Sequence, residues 1–230
     1  IVRAQGAWLF DASGNRFVDF ESGVWCTALG HNHPAVRDAM QTQLGRVSHL
    51  GYRVESALAE DAAVAVQSTL PFSDGKCLFL ASGSEAVEYG VRVAQMLAEQ
   101  PLLLTMTDSY FGAYGSASNK RGDEWYGFDW MGCPNCPPSR GCDEHCERWA
   151  AIPFDRIGGF LFEPGSSSGL VRFPPEPLVS NLARTVQQNG GFVLVNEVTT
   201  GVGRTGAWFG YQHYDIAPDG REIAFTFDPA

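Results

Sequence analysis

Val193-Leu194-Val195-Asn196-Glu197-Val198-Thr199-Thr200-Gly201-Val202-Gly203-Arg204-Thr205-Gly206 decides how this chain is read. A short apolar run without alternation predicts a strand covered on both faces. It ends in polar residues and a glycine-rich turn, and open α/β sheets hold ligands at the carboxyl ends of their strands. Taken singly, the turn is equally consistent with a glycine-rich surface loop. Similar runs occur upstream. Leu78-Phe79-Leu80 reads as a buried strand, followed by Ala81-Ser82-Gly83-Ser84-Glu85-Ala86 and a helix to about Glu99. Leu102 to Thr105 and Gly159 to Phe162 are further apolar runs, and a helical stretch near Pro177 to Gln188 separates the last run from Phe192 to Val195. Apolar strands alternating with helices predict an α/β fold with a mainly parallel sheet and helices on both faces.

Outward from that core, Trp8 to Phe10, the turn Asp11-Ala12-Ser13-Gly14-Asn15, and Phe17, Val18 and Phe20 read as an N-terminal hairpin. Pro34 suits a first helical turn, and a second helix is expected from Ser56 to Leu70. The expected organisation is an N-terminal hairpin and helix segment over 1–50 and a large domain over 51–230. Within the latter, a Gly-, Pro- and Cys-rich stretch at about 119–150 interrupts the rhythm and reads as an insertion.

Bulk properties exclude several functions. The 230 residues carry a formal charge of -10, and no Lys/Arg cluster is present to neutralise a polyanion, so nucleic acid is not expected as a partner. No run approaches the roughly 18 apolar residues of a membrane helix. Four of six cysteines fall between Cys133 and Cys146, which suggests a local site better than a chain-wide disulfide framework. A cytoplasmic location is the expectation. The sequence opens at Ile1, so absences near either end carry little weight.

Two features carry chemistry. In Ser82-Gly83-Ser84-Glu85-Ala86 a helix starts directly after small residues, which presents free backbone N–H groups and the positive end of a helix dipole to an anion. An ordinary Ser-capped helix has the same look. Cys133 and Cys136 are two residues apart in the chain's count of intervening positions, Cys142 and Cys146 three, and two such pairs can meet a tetrahedral metal. Zinc in a structural role is the first expectation, with His145 able to replace one ligand. An iron–sulfur cluster, two disulfides or a thiol-rich loop are the alternatives.

The whole length resembles the class III aminotransferases, enzymes of the pyridoxal-phosphate (PLP) type I fold. Five pieces match in order: Gly6-Ala7-Trp8-Leu9-Phe10-Asp11 with Gly14 and Asp19-Phe20; Leu29-Gly30-His31-Asn32-His33-Pro34; Ser82 to Glu88; Glu163-Pro164; and Asn196-Glu197-Val198 with Thr200 to Gly206. The resemblance implies transfer of an amino group between an amine or amino acid and a 2-oxo acid, and a dimer with active sites at its interface. It implies that Gly83 and Ser84 hold the cofactor phosphate, that Tyr110 stacks on the pyridine ring, and that Val198 lies on the opposite face. Glu163 would be a family acid at the edge of the site, Asn196 would stand at the ring nitrogen, and Trp25, Tyr52 and Phe111 would line the substrate pocket.

Departures from the family pattern matter as much. Position 196 is an aspartate in the family, whose charge keeps the ring nitrogen protonated; here it is Asn196. Thr199 stands for a glutamine, and Phe111 for His or Trp. The family's Schiff-base lysine should follow Pro218-Asp219, but the only lysines in the sequence are Lys76 and Lys120, so no catalytic lysine is assigned. Three explanations stay open: a split subunit paired, as a heterodimer, with a lysine-bearing chain; an aminotransferase seen incompletely; or a non-catalytic scaffold or regulatory relic.

Overall fold

The computed structural model describes the chain except residues 52, 73–74, 121, 134–141, 143–144, 167–170, 217–222 and 226–230 and the side chains of 223–225. It divides into two compact units, one from Ile1–Val66 and one from Gln67–Phe227.

The first unit holds an antiparallel sheet of β1 (Arg3–Gln5), β2 (Trp8–Phe10) and β3 (Arg16–Val18). Its β2–β3 turn is built by Asp11, whose carboxylate accepts the N–H groups of Ser13 and Asn15 at 2.9 Å each and the Asn15 amide at 2.9 Å. That is the local bonding that makes Asp a turn residue. Strand β1 is not anticipated from sequence, because Arg3-Ala4-Gln5 has no apolar alternation. The His31 imidazole meets Asp19 at 2.7 Å, and the Asn32 amide donates to the Ala4 carbonyl at 2.7 Å. His31 and Asn32 therefore fasten the hairpin. The helices are α1 (Ser22–Trp25), a single turn with left-handed Gly23 and Val24, then α2 (Pro34–Leu44) and α3 (Ala57–Gln67), the last shorter at both ends than expected.

The second unit is built on a parallel sheet of β4 (Leu102–Met106), β5 (Trp125–Phe128), β6 (Ile157–Phe162), β7 (Phe192–Asn196) and β8 (Ile223–Phe225), in the order β5-β4-β6-β7-β8. Successive strand residues point to opposite faces, and the apolar runs feed both. Leu104, Phe160, Phe162, Val193 and Val195 pack with Leu178, Leu182 and Val186 of α7 (Glu176–Gln188). On the other face Leu103, Leu161 and Leu194 pack with Val87, Val91 and Ala94 of α4 (Gly83–Leu97). One-turn helices α5 (Ser116–Asn119) and α6 (Glu147–Ala150) flank β5. Helices on both faces of a parallel sheet are the architecture expected from the strand–helix rhythm.

Two expectations need correction. Leu78-Phe79-Leu80 forms no strand among the described residues, and its side chains are exposed. An apolar run supplies a tendency to be covered, but a strand also needs a ladder partner, and no described strand pairs with it. Conversely, the stretch read as an insertion contains edge strand β5, with Trp125 and Phe128 buried. No described helix is long and apolar enough to cross a membrane.

Candidate functional site

Three segments of the second unit meet beyond the carboxyl ends of β4, β6 and β7. The first is the start of α4. Ser82 caps the helix, its hydroxyl accepting the Glu85 N–H at 3.2 Å, while the Glu85 carboxylate accepts the Ala81 N–H at 2.8 Å. The N–H groups of Gly83 and Ser84 find no acceptor among the described residues. They stand at the positive end of a 15-residue helix, which is the arrangement that receives an anionic oxygen.

The second segment is the loop after β4. The Ser84 hydroxyl accepts the Ala113 N–H at 3.1 Å. Gly112 makes this approach possible: its φ is +108°, and a Cβ there would stand 2.4 Å from Ser84 Oγ. The third segment is the turn after β7, where Val198 covers Gly83 so closely that a Cβ on Gly83 would lie 2.9 Å from Val198 Cγ2.

A buried polar cluster ties these segments together. Glu163, 2% exposed at the end of β6, accepts the Tyr110 N–H at 2.7 Å. Asn196, 3% exposed at the end of β7, donates its amide both to the Tyr110 carbonyl and to Glu163 Oε1, each at 3.2 Å. Asn196 Oδ1 accepts the Val198 N–H at 3.2 Å. These partners fix the amide orientation, because two are pure acceptors and one a pure donor. The Tyr110 side chain is left half exposed. Thr199 Oγ1 is buried with no partner, a hydroxyl whose desolvation is uncompensated unless a ligand meets it.

Two groups at this site escape sequence reasoning. Lys120, assigned there only to the start of the insertion, is half buried; its ammonium donates to the Ser109 carbonyl and lies 5.4 Å from the centre of the Phe111 ring. Burial lowers its pKa, opposed by the nearby Glu163 and Asp108 carboxylates. No motif signals this, since the lysine is delivered by the left-handed end of a one-turn helix. Glu197 is buried beneath the glycine-rich turn and accepts Thr200 Oγ1 at 2.5 Å and the N–H groups of Gly210 and Tyr211 at 2.8 Å each. Burial raises its pKa despite these bonds.

The structure thus gathers Gly83, Ser84, Tyr110, Glu163, Asn196 and Val198. Phe111 sits differently from a pocket-lining residue: it is 1% exposed and stacks on Trp125 with ring centres 6.3 Å apart. Its apolar ring packs in the core between β4 and α4. Trp25 lies in the first unit at φ +67°, and Tyr52 lies outside the described residues. Cys133, Cys142 and Cys146 each pack against the core facing α7; Cys136 lies outside the described residues, among which no group of three or more His, Cys, Asp or Glu could hold a metal ion.

Residues 1–121 and 135–224 match the family described as aminotransferase class-III. The acetylornithine aminotransferase of Lactococcus lactis is 28% identical over 221 residues, covering 95% of this chain and 57% of that protein. An alanine/serine racemase of Pyrococcus horikoshii is 27% identical over 94% of this chain and 52% of its own length. A taurine:2-oxoglutarate aminotransferase from Bifidobacterium kashiwanohense, solved in complex with PLP and glutamate, superposes with a TM-score of 0.81 at 22% identity, covering 94% of this chain and 54% of that one. The chain therefore spans about half the length of the relatives it matches.

Proposed function

The chain belongs to the class III aminotransferases, and on that footing we propose that it forms the cofactor-holding portion of a PLP-dependent enzyme moving an amino group between an amine or amino acid and a 2-oxo acid. The observation that carries the reading is the pair of unpartnered N–H groups of Gly83 and Ser84 at the start of α4, facing the Tyr110, Asn196 and Val198 segments. The orphaned hydroxyl of Thr199 supports the fit of a ligand carrying its own polar groups.

When bound, PLP supplies an aldehyde that captures the amino group and a ring that withdraws electrons from it. Gly83 and Ser84 hold the phosphate through backbone N–H groups, which need no side-chain rearrangement. Tyr110 offers a ring face, Val198 the opposing apolar contact, and Thr199 a hydroxyl partner. Asn196 would meet the ring nitrogen through Oδ1, the amide atom not spent on Tyr110 and Glu163. Glu197 holds the glycine-rich turn in register without touching the cofactor.

The substrate and the residues that select it, with Trp25 and Tyr52 as the remaining sequence candidates since Phe111 is buried, belong to this proposal, as do assembly into a homodimer or with a lysine-bearing partner chain and a cytoplasmic location. So does structural zinc on Cys133, Cys136, Cys142 and Cys146. It is carried by the sequence spacing alone, and one zinc per chain, lost in Cys142→Ser, is the result it expects from metal analysis.

The functional test is borohydride reduction of the protein purified from its source, followed by intact mass of every chain. A PLP-sized increment on a chain containing this sequence, or on a partner that co-purifies with it, is expected. No increment on any chain would leave a non-catalytic scaffold as the reading.

A further inference from the structure

We propose that Glu163, acting through the Asn196 amide, supplies the negative charge that keeps the nitrogen of a bound pyridine ring protonated. This rests on the cofactor reading above and adds a positioning role for a residue that does not itself meet the ring.

The argument begins with the bonding capacity of Asn196. Its amide nitrogen has two hydrogens, and both are spent, one on the Tyr110 carbonyl and one on Glu163 Oε1, each at 3.2 Å. Only Oδ1 remains, with one position used by the Val198 N–H at 3.2 Å. The amide therefore has nothing to donate to a ligand and can only accept. A neutral pyridine nitrogen is also only an acceptor, so the two would repel; a protonated one completes the bond. The amide orientation cannot reverse without setting its N–H groups against the Val198 N–H and its oxygen against the Tyr110 carbonyl and a carboxylate.

Charge comes from one bond further back. Glu163 Oε1 takes the Asn196 amide and Oε2 takes the Tyr110 N–H at 2.7 Å, so both oxygens are engaged on the side of the cluster that carries Tyr110 and Asn196. A carboxylate bonded to an amide N–H polarises the amide and makes its oxygen a stronger acceptor. The Lys120 ammonium feels both Glu163 and Asp108, the latter bonded to the Trp130 indole at 2.7 Å. The family's single aspartate is thus replaced by a two-residue arrangement of amide in front and carboxylate behind.

The test is nuclear magnetic resonance of PLP isotope-labelled at the ring nitrogen, bound to the full-length protein at neutral pH. The protonated signal is expected in the wild type and in Glu163→Asp, with a shift of about tenfold or more toward the neutral ring in Glu163→Gln, as removal of a charge a few ångströms away in a partly buried site implies. Exchanging the two groups, Glu163→Gln with Asn196→Asp, keeps one amide and one carboxylate in the cluster and is expected to restore protonation. A neutral ring in the wild type, or an unchanged protonated ring in folded Glu163→Gln, overturns the proposal. Failure of labelled PLP to bind at all overturns the cofactor reading and this inference with it, an outcome distinct from binding with a neutral ring.

Discussion

Replacing Gly112 by alanine tests whether the cradle is built by close backbone approach. The new Cβ would stand 2.4 Å from Ser84 Oγ, 2.7 Å from Ser84 Cβ and 2.8 Å from Ser84 Cα, so no side-chain rotation relieves it and the loop or the helix start must move. The backbone adds its own cost: φ at Gly112 is +108°, and holding a non-glycine residue in so sparsely populated a region costs roughly 1–3 kcal/mol. Overpacking adds about 1–3 kcal/mol, and separation of the loop breaks the Ala113 N–H bond to Ser84 Oγ, net about 1 kcal/mol. Because movement of the loop relieves part of the first two costs, we expect a loss of about 3–5 kcal/mol in urea unfolding followed by circular dichroism. Whatever stays folded should bind PLP poorly, because Ser84 is the residue displaced. A stability within about 0.5 kcal/mol of the wild type, together with unchanged PLP affinity, would refute the geometry.

Two further outcomes follow from single groups. Thr199→Val removes the orphaned hydroxyl while keeping its shape, so the unliganded protein should be as stable as the wild type or slightly more so, whereas PLP affinity should fall about fivefold to tenfold by equilibrium dialysis; an unchanged affinity would mean that the hydroxyl does not face the ligand. For Lys120 the sign of the pH dependence is definite. Burial holds its pKa below the ordinary 10.5, so between the two values the unfolded chain binds more protons, and wild-type stability should rise with pH relative to Lys120→Met. A flat or opposite trend in paired denaturant titrations would show that the ammonium is not desolvated.

The sheet was legible in the chain wherever an apolar run was long enough to be covered on both faces: Leu102 to Thr105, Gly159 to Phe162 and Phe192 to Val195 all became central strands, each slightly longer than expected. Periodicity failed where the deciding factor was a partner. Leu78-Phe79-Leu80 has the composition of a strand but no ladder partner among the described residues, while Trp125-Tyr126-Gly127-Phe128 acquires one from β4 despite lying in a Gly- and Pro-rich stretch. Around the candidate site, local patterns, a small-residue helix start and a strand ending in polar residues, draw attention to Gly83, Ser84 and Asn196, whereas Tyr110, Glu163 and Val198 are named only through the family resemblance. What no local pattern carried is which atoms pair. That Asn196 spends both N–H groups behind the site, that Lys120 folds back over Phe111, and that Gly112 exists to admit Ser84 are consequences of segments brought together across 86 and 33 positions in the first case and of the loop's backbone conformation in the others.

The central claim is that the start of α4 is a phosphate site within a PLP cradle. Its most direct measurement is the equilibrium binding of PLP compared with pyridoxal, the same ring and aldehyde without the phosphate. The account predicts saturable binding of PLP, affinity at least about a hundredfold weaker for pyridoxal, as loss of charge-assisted bonds of roughly 1.5–3 kcal/mol each implies, and loss of that preference in Gly112→Ala. Equal affinities for the two compounds, or no binding of either, would contradict it.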